Sequence, residues 1–213
     1  MQLDIHRHLG AVERSVTDTE REGRPARAVA LSRTYPTGIE DLWDAVSNRE
    51  RLPRWFAPVT GTLEPGGRFQ VQGNAGGTIT ECDPPRRFAA TWEYGGDVSW
   101  IELRLDPVGE DTARLTLTHT AHPSEFWEKF GPGAVGVGWE LGFLGLALHL
   151  DRPDAPRVDE AEFAASEDGT TFSRTSAHAW GEADIAGGAA PEQARGAARR
   201  TADFYTGVTP DEA

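Results

Sequence analysis

Apolar and polar residues alternate over much of the chain between residues 60 and 121, which predicts strands with one buried face. The clearest case is residues 87–94, in which every second residue from Phe88 to Tyr94 is apolar. Similar short runs are separated by turns rich in glycine and proline. The pattern predicts an antiparallel meander of five or six strands. A further strand over 28–35 would form a hairpin with residues 9–20.

Other segments have the spacing of helices. Ile39, Leu42, Trp43 and Val46 lie at i, i+3, i+4 and i+7, and Thr37 with Glu40 predicts a capping box before them. Residues 135–150 are apolar nearly all round, which predicts a buried helix. Residues 151–169 hold two prolines and seven acidic residues and predict a loop or mobile linker. Two more helices are predicted over 172–183 and 191–207.

The predicted buried helix carries a stripe of small residues, Gly138, Gly142 and Gly145. Each glycine costs a helix about 1 kcal/mol relative to alanine. Three on one face therefore indicate either the close approach of another element or room left for a ligand. The lone acid in this helix, Glu140, needs a partner or a solvated position, because burial of an unpaired carboxylate is unfavourable.

Several short motifs resemble those of a known superfamily when they are taken in order along residues 26–150. They are residues 37–43, Leu-Pro-Arg-Trp-Phe at 52–56, Pro-Gly-Gly-Arg-Phe at 65–69, Asp-Pro-Pro-Arg-Arg-Phe at 83–88, Trp92, Leu-Thr-Leu-Thr-His at 115–119 and Gly-Trp-Glu at 138–140. Together they resemble the START-like (SRPBCC) superfamily. Within it, the likeness is to the bacterial branch related to the activator of the Hsp90 ATPase.

The resemblance implies an α+β helix-grip fold, with a curved antiparallel sheet around a long buried helix and extra C-terminal helices. We expect a helix-grip domain at 1–150, with its core at about 26–150, and an acidic linker with a helical extension at 151–213. Such a fold implies a cavity between sheet and helix, unless core side chains fill it. The candidate ligand-binding residues are Trp43, Phe69, Val71, Ile79, Phe88, Trp92, Leu103, Leu117, His119, Trp139, Glu140 and Phe143.

Charge and composition narrow the choice of partners. The net charge of −13 disfavours nucleic acid and anionic membranes. Cys82 is the single cysteine and cannot form an intramolecular disulfide, and the chain begins without a secretory signal pattern, so we expect a cytoplasmic protein. The spacing of histidines and glycines matches no metal site and no nucleotide-binding fingerprint. We therefore expect neither a metal nor a cofactor.

Three functions follow as hypotheses. The first is non-catalytic binding of a small hydrophobic molecule in the helix-grip cavity. The second is a protein–protein module that regulates a chaperone in the stress response, or another partner, through an exposed face of the C-terminal helices with Trp180 and Phe204. The third is a cyclase or hydrolase that uses His119 and Glu140. A homodimer is compatible with each of them.

Overall fold

The structure is a computed structural model that describes residues 3–208. Residues 1–2, at the start of the predicted domain 1–150, and residues 209–213, at the end of the predicted extension 151–213, lie outside the described residues. The helices are α1 (Ile5–Gly10), α2 (Ile39–Ser47), α3 (Glu125–Phe130), α4 (Gly133–Asp151), α5 (Glu160–Ala165), α6 (Glu167–Ala186) and α7 (Pro191–Thr206), with a 3₁₀ turn at Leu52–Arg54. The strands are β1 (Glu13–Arg21), β2 (Arg24–Tyr35), β3 (Val59–Gly61), β4 (Arg68–Val71), β5 (Gly76–Asp83), β6 (Arg87–Tyr94), β7 (Asp97–Gly109) and β8 (Thr112–Ala121).

The eight strands form one sheet in the order β1-β2-β8-β7-β6-β5-β4-β3. From β3 to β8 each strand pairs antiparallel with the next along the chain. The predicted meander is these six strands, and β1 and β2 lie side by side as the predicted hairpin requires. The α+β class is confirmed.

The chain divides into two compact units, each made of separate stretches of sequence. The first unit comprises Met1–Leu31, His122–Leu141 and Val158–Ala213, and the second unit comprises Ser32–Ala121 and Gly142–Arg157. Helix α4 contributes its first half to the first unit and its second half to the second. The proposed domain boundary at residue 150 stays a prediction.

The first unit is organised around α6 and α7, which pack through small residues. A β-carbon at Gly181 of α6 would lie 2.8 Å from the β-carbon of Ala198 on α7, so the two backbones approach closely. The indole of Trp180 is 0 % exposed and lies on the backbone of Gly136 in α4. The prediction that Trp180 belongs to an exposed face is therefore wrong, because Gly136 leaves room for its ring.

Two local predictions also fail. The Thr37 hydroxyl donates to Asp41 Oδ2 at 2.6 Å, and Gly38 occupies the N-cap of α2, so there is no capping box. The acidic stretch 151–169 is not all loop, because it contains α5 and the start of α6. The Asp159 carboxylate accepts from the amide of Glu162 and begins α5, and the Ser166 hydroxyl accepts from the amide of Gly169 in the same way at α6.

Candidate functional site

Eight of the predicted ligand-binding residues lie on one face of the sheet in the second unit. The register shows this, because Leu103 pairs with Phe88 on β6 and with Leu117 on β8. Paired residues of neighbouring strands point to the same side of a sheet. We call this surface the strand face and define it as Phe69, Val71, Ile79, Phe88, Ala90, Trp92, Ser99, Ile101, Leu103, Leu117 and His119.

The strand face carries no carboxylate, lysine or arginine. Most charged residues of the same strands occupy the alternate positions, and several of them pair with one another. Asp97, at the exposed end of β7 beyond Ser99, is on the side of the strand face. Arg87 bonds to Glu102 across β6 and β7, and Arg68 bonds to Glu93 at 2.8 Å. The alternation therefore separates an uncharged face from a face covered by ion pairs.

Two polar side chains, His119 and Ser99, stand within the strand face. His119 Nε2 lies 2.9 Å from Ser99 Oγ, and Ser99 Oγ in turn donates to the carbonyl of Trp92 at 3.0 Å. Since the hydroxyl proton is used there, Nε2 of His119 is the donor to Ser99. Burial of the imidazole lowers the pKa of His119 to about 4, so the ring is neutral at physiological pH.

Two aromatic rings of the strand face, those of Phe88 and Trp92, are less buried than the aliphatic side chains between them. Ala90 and Ile101 are buried, whereas Phe88 and Trp92 on the same face are half-buried. The rings of Trp92 and Phe69 lie 6.2 Å apart and tilted by 40°. Phe88 and Trp92 therefore keep part of their surface uncovered, whereas Phe69 is buried like the smaller side chains of the face.

The second half of α4 is fixed by contacts within the second unit. The Tyr35 hydroxyl donates to the carbonyl of Phe143 at 3.2 Å, and their rings meet edge to face. A β-carbon at Gly145 would lie 2.6 Å from the carbonyl oxygen of Trp55, so this glycine permits a close approach. Gly142 differs, because a β-carbon there would meet no atom within 4 Å although the residue is half-buried. The close approach predicted for the stripe is therefore observed at Gly145, and room for a ligand at the stripe stays a prediction.

Near the end of α4, His149 joins a charged cluster. Arg51 Nε donates to His149 Nε2 at 3.2 Å, and Arg51 Nη1 also donates to Asp41 Oδ1 at 2.6 Å and Asp44 Oδ2 at 3.0 Å. Burial and the nearby guanidinium of Arg51 lower the pKa of His149. These bonds tie α2 and the 3₁₀ turn to α4. The half-buried Trp43, a predicted ligand contact on α2, is positioned by the same helix.

The last two predicted site residues, Trp139 and Glu140, belong to the first unit. Glu140 is 1 % exposed, and its carboxylate is held by Arg14 Nε and by the Ser176 hydroxyl. Burial raises the pKa of Glu140, and Arg14 opposes that effect. Of the alternatives open from the sequence, pairing with an arginine is the one observed. The use of both carboxylate oxygens by protein groups indicates a structural role.

The described residues also bear on metal binding and on membranes. Residues 3–208 contain no group of three histidine, cysteine or acidic side chains arranged to hold a metal ion. In the same residues, α4 is long and apolar enough to cross a membrane by length and composition. Its buried Glu140 and the contacts of Phe143, Gly145 and His149 are those of a core helix.

Comparison with known proteins places the chain in a family. The family described as Activator of Hsp90 ATPase homolog 1-like protein (AHSA1) matches residues 36–151, more than half of the sequence. The chain belongs to the AHSA1 family. The START-like resemblance predicted from the motifs is confirmed, and a search of curated proteins found no match.

Solved structures extend the likeness beyond the residues that the AHSA1 family matches. The crystal structure of CalU16 from Micromonospora echinospora is 30 % identical, with a TM-score of 0.67, and the alignment covers 81 % of this chain and 98 % of CalU16. The solution structure of CalU16 has 29 % identity, a TM-score of 0.63 and coverages of 93 % and 94 %. Protein MLL2253 from Mesorhizobium loti, at 20 % identity and a TM-score of 0.54, covers 61 % of this chain and all of its own, and shows the fold alone.

The helix-grip fold is confirmed by these solved structures together with the sheet, the long helix and the C-terminal helices. Sequence reasoning missed two residues of the site, Ser99 and Tyr35. Ser99 had a usable signal, because it lies two residues before Ile101 and four before Leu103 in an alternating strand. Tyr35 had none, because its partner Phe143 is 108 residues away.

Proposed function

We propose that this AHSA1-family protein binds an uncharged, apolar small molecule against the strand face of the second unit, without catalysis. The observation that supports the proposal is the half-buried state of Phe88 and Trp92 on a face that carries no charge. Aromatic surface left uncovered between buried aliphatic neighbours is typical of a site that a ligand completes.

The chemistry of the face selects the class of ligand. A carboxylate, phosphate or ammonium group would lose its hydration and meet no opposite charge on the strand face, which is strongly unfavourable. A neutral His119 adds no cation. Apart from the indole N–H of Trp92, the polar side-chain groups of the strand face belong to His119 and Ser99, and these two would orient a single hydroxyl or carbonyl of an otherwise apolar ligand.

A matched pair of fluorescent probes tests the proposal. N-phenyl-1-naphthylamine is neutral, and 8-anilinonaphthalene-1-sulfonate has the same rings with one sulfonate. We expect the neutral probe to bind at least about tenfold more tightly, because the face offers the sulfonate no counter-charge. The change Trp92→Leu should weaken binding of the neutral probe by a similar factor.

The control for that change is Thr118→Ala. Thr118 lies next to His119 on β8, but alternation places it on the opposite face. Binding of the neutral probe should be unchanged in this variant. Equal affinity for both probes, or equal losses in the Trp92 and Thr118 variants, would contradict a site on the strand face.

The other two hypotheses remain less supported. Regulation of a chaperone is what the family description says of an Hsp90 ATPase activator, and for this chain it stays a prediction. An enzyme that uses His119 and Glu140 would need both groups available for proton transfer. The Arg14 and Ser176 bonds to Glu140 leave that carboxylate committed to the structure of the first unit.

A further inference from the structure

One histidine of α4 is buried with half of its hydrogen-bonding capacity unused. His149 is 4 % exposed, and its Nε2 accepts from Arg51 Nε at 3.2 Å. A guanidinium can only donate, so Nε2 carries a lone pair and the imidazole proton lies on Nδ1. Within residues 3–208, Nδ1 has no hydrogen-bond partner among the protein atoms. The ring is therefore held in its neutral form, with its N–H group buried and unpaired.

Protonation of His149 in this position is strongly unfavourable. An imidazolium donates from both nitrogens. Its Nε2–H would point at the guanidinium of Arg51, and its Nδ1–H would still meet no acceptor. Burial and the charges of Arg51 and Arg54 lower the pKa of His149, and they outweigh the opposing charge of Asp41.

The two carboxylates of this cluster are already occupied. Asp41 accepts from Arg51 and from the Thr37 hydroxyl, at 2.6 Å in each case. Asp44 accepts from Asn48 Nδ2 at 2.9 Å and from Arg51 at 3.0 Å. The bond from Arg51 lowers the pKa of Asp41, and the bonds from Asn48 and Arg51 lower that of Asp44, so both acids stay charged in mild acid. The imidazole is therefore the group of this cluster that titrates near neutral pH.

The bond to His149 joins two parts of the second unit. Arg51 immediately precedes the 3₁₀ turn, and its bonds to the two acids stay within residues 37–56, which we call the α2 segment. Trp55 Nε1 likewise donates to the carbonyl of Ala45 at 2.9 Å, inside the α2 segment. The bond from Arg51 to His149 instead connects this segment to α4.

We propose that Arg51 and His149 form a pH switch, which holds the α2 segment on α4 while His149 is neutral and releases the segment when His149 is protonated. Release lets the imidazolium reach water, so proton uptake and release of the segment are coupled. Release also uncovers the second half of α4, where residues 142–150 carry no polar side chain other than that of His149.

The direction of the pH dependence follows from the pKa of His149 in the two states. A solvated histidine has a pKa of about 6.5, and the pKa of His149 in the docked state is lower. The bond therefore contributes its full stability above about pH 6.5 and loses it as the pH falls toward the docked pKa. Uptake of one proton raises the opening constant by at most about tenfold per pH unit. His119 stays neutral in mild acid, because its pKa is about 4.

Hydrogen exchange of the full chain at about pH 7.5 and about pH 5.5 tests the proposal. Protection factors are compared, because they correct for the intrinsic pH dependence of exchange. We expect the protection of the α2 segment to fall about five- to tenfold at the lower pH, since a helix as short as α2 is marginal without its packing surface. The amides of β8 should keep their protection.

A matched pair of histidine variants provides the control. In His149→Gln, the side-chain carbonyl can accept from Arg51 and cannot be protonated, so the protection of the α2 segment should be equal at both pH values. His178→Gln, a change at an exposed histidine of α6, should keep the wild-type pH dependence. Nitrogen-15 NMR of the wild-type imidazoles tests the same bond without a substitution, because His149 should carry its proton on Nδ1 at the higher pH.

Equal protection of the α2 segment at both pH values in wild type overturns the proposal, as does a loss of protection that His149→Gln retains. A loss shared equally by β8 would assign the acid response to global unfolding instead. A proton on Nε2 of His149 at the higher pH would contradict the bond on which the switch depends.

Discussion

The indole of Trp180 lies on the backbone of Gly136, so that a β-carbon at residue 136 would come within 2.3 Å of the ring. No side chain fits there without displacement of a fully buried tryptophan. We expect Gly136→Ala to destabilise the fold by about 1–3 kcal/mol, the usual cost of overpacking, despite the better helix propensity of alanine. Urea denaturation measures the change.

The control for this prediction lies two residues further along α4. A β-carbon at Gly138 would meet the Tyr205 hydroxyl at 3.2 Å, a side-chain atom that can shift by a few tenths of an ångström. Gly138→Ala should therefore be neutral or stabilising. If the two variants prove equally stable, the packing of Trp180 on Gly136 is not as tight as described.

The buried pair of Arg14 and Glu140 predicts strong coupling between two distant segments. Glu140→Gln leaves the guanidinium of Arg14 largely buried without its counter-charge, and we expect a loss of about 3 kcal/mol. Arg14→Met in the same background should recover part of that loss, since no unpaired charge then remains. A double-mutant cycle by chemical denaturation measures the coupling.

An exposed ion pair provides the comparison. Arg195 and Glu182 join α7 to α6 at 3.0 Å, with both side chains more than half exposed. The same double-mutant cycle at this pair should give a coupling free energy of at most about 1 kcal/mol. Coupling of equal size at both pairs would contradict the role assigned to burial.

Burial of His119 predicts a loss of stability in acid. The pKa of His119 is about 4 in the folded chain and about 6.5 when unfolded, so the unfolded state binds more protons between these values. The stabilisation is complete above pH 6.5 and is lost as pH falls toward 4, by up to about 3 kcal/mol. His119→Gln removes this titration.

The measurement is the free energy of unfolding at pH 7 and pH 4.5. The difference between the free energies at these two pH values should be smaller in His119→Gln than in wild type. The control is His178→Gln, a change at an exposed histidine, in which this difference should be that of wild type. If His119→Gln leaves the pH dependence unchanged, the imidazole does not titrate as burial requires.

Two glycines of α4 should respond in opposite directions to the same substitution. Gly145→Ala would place a methyl group 2.6 Å from the backbone oxygen of Trp55 and should destabilise the protein, whereas Gly142→Ala meets open space and should stabilise it by up to about 1 kcal/mol. Thermal unfolding measures both. Stabilisation by both changes would mean that the Trp55 segment yields easily.

Much of the fold follows from local pattern, because strands with one buried face leave a period of two in the sequence. The segment from Phe88 to Trp92 shows it clearly, and the register of β6 with β7 places its alternate residues on one side of the sheet. The buried helix was predicted for a similar reason. Its residues are apolar nearly all round, which is typical of a helix in a protein core.

What could not be predicted depends on partners far apart in the chain. Trp180 looks like an exposed residue of a polar helix until Gly136, 44 positions earlier, is seen beneath it. The acid-rich composition around Glu160 concealed α5, although Asp159 and Ser166 are both ordinary helix-capping residues. The capping residues Asp159 and Ser166 therefore indicate the helices of this stretch better than its acid-rich composition does.

The first unit combines segments that are far apart in the sequence, which affects the order in which its contacts can form during synthesis. Its strand β1 and helix α1 come from the first 31 residues, while α6 and α7 come from the last 56. A ribosome releases the N-terminal part long before the helices that complete its core exist. Contacts between residues so distant in sequence form slowly. The contacts of β1 and α1 with α6 can therefore form only after more than a hundred further residues have been synthesised.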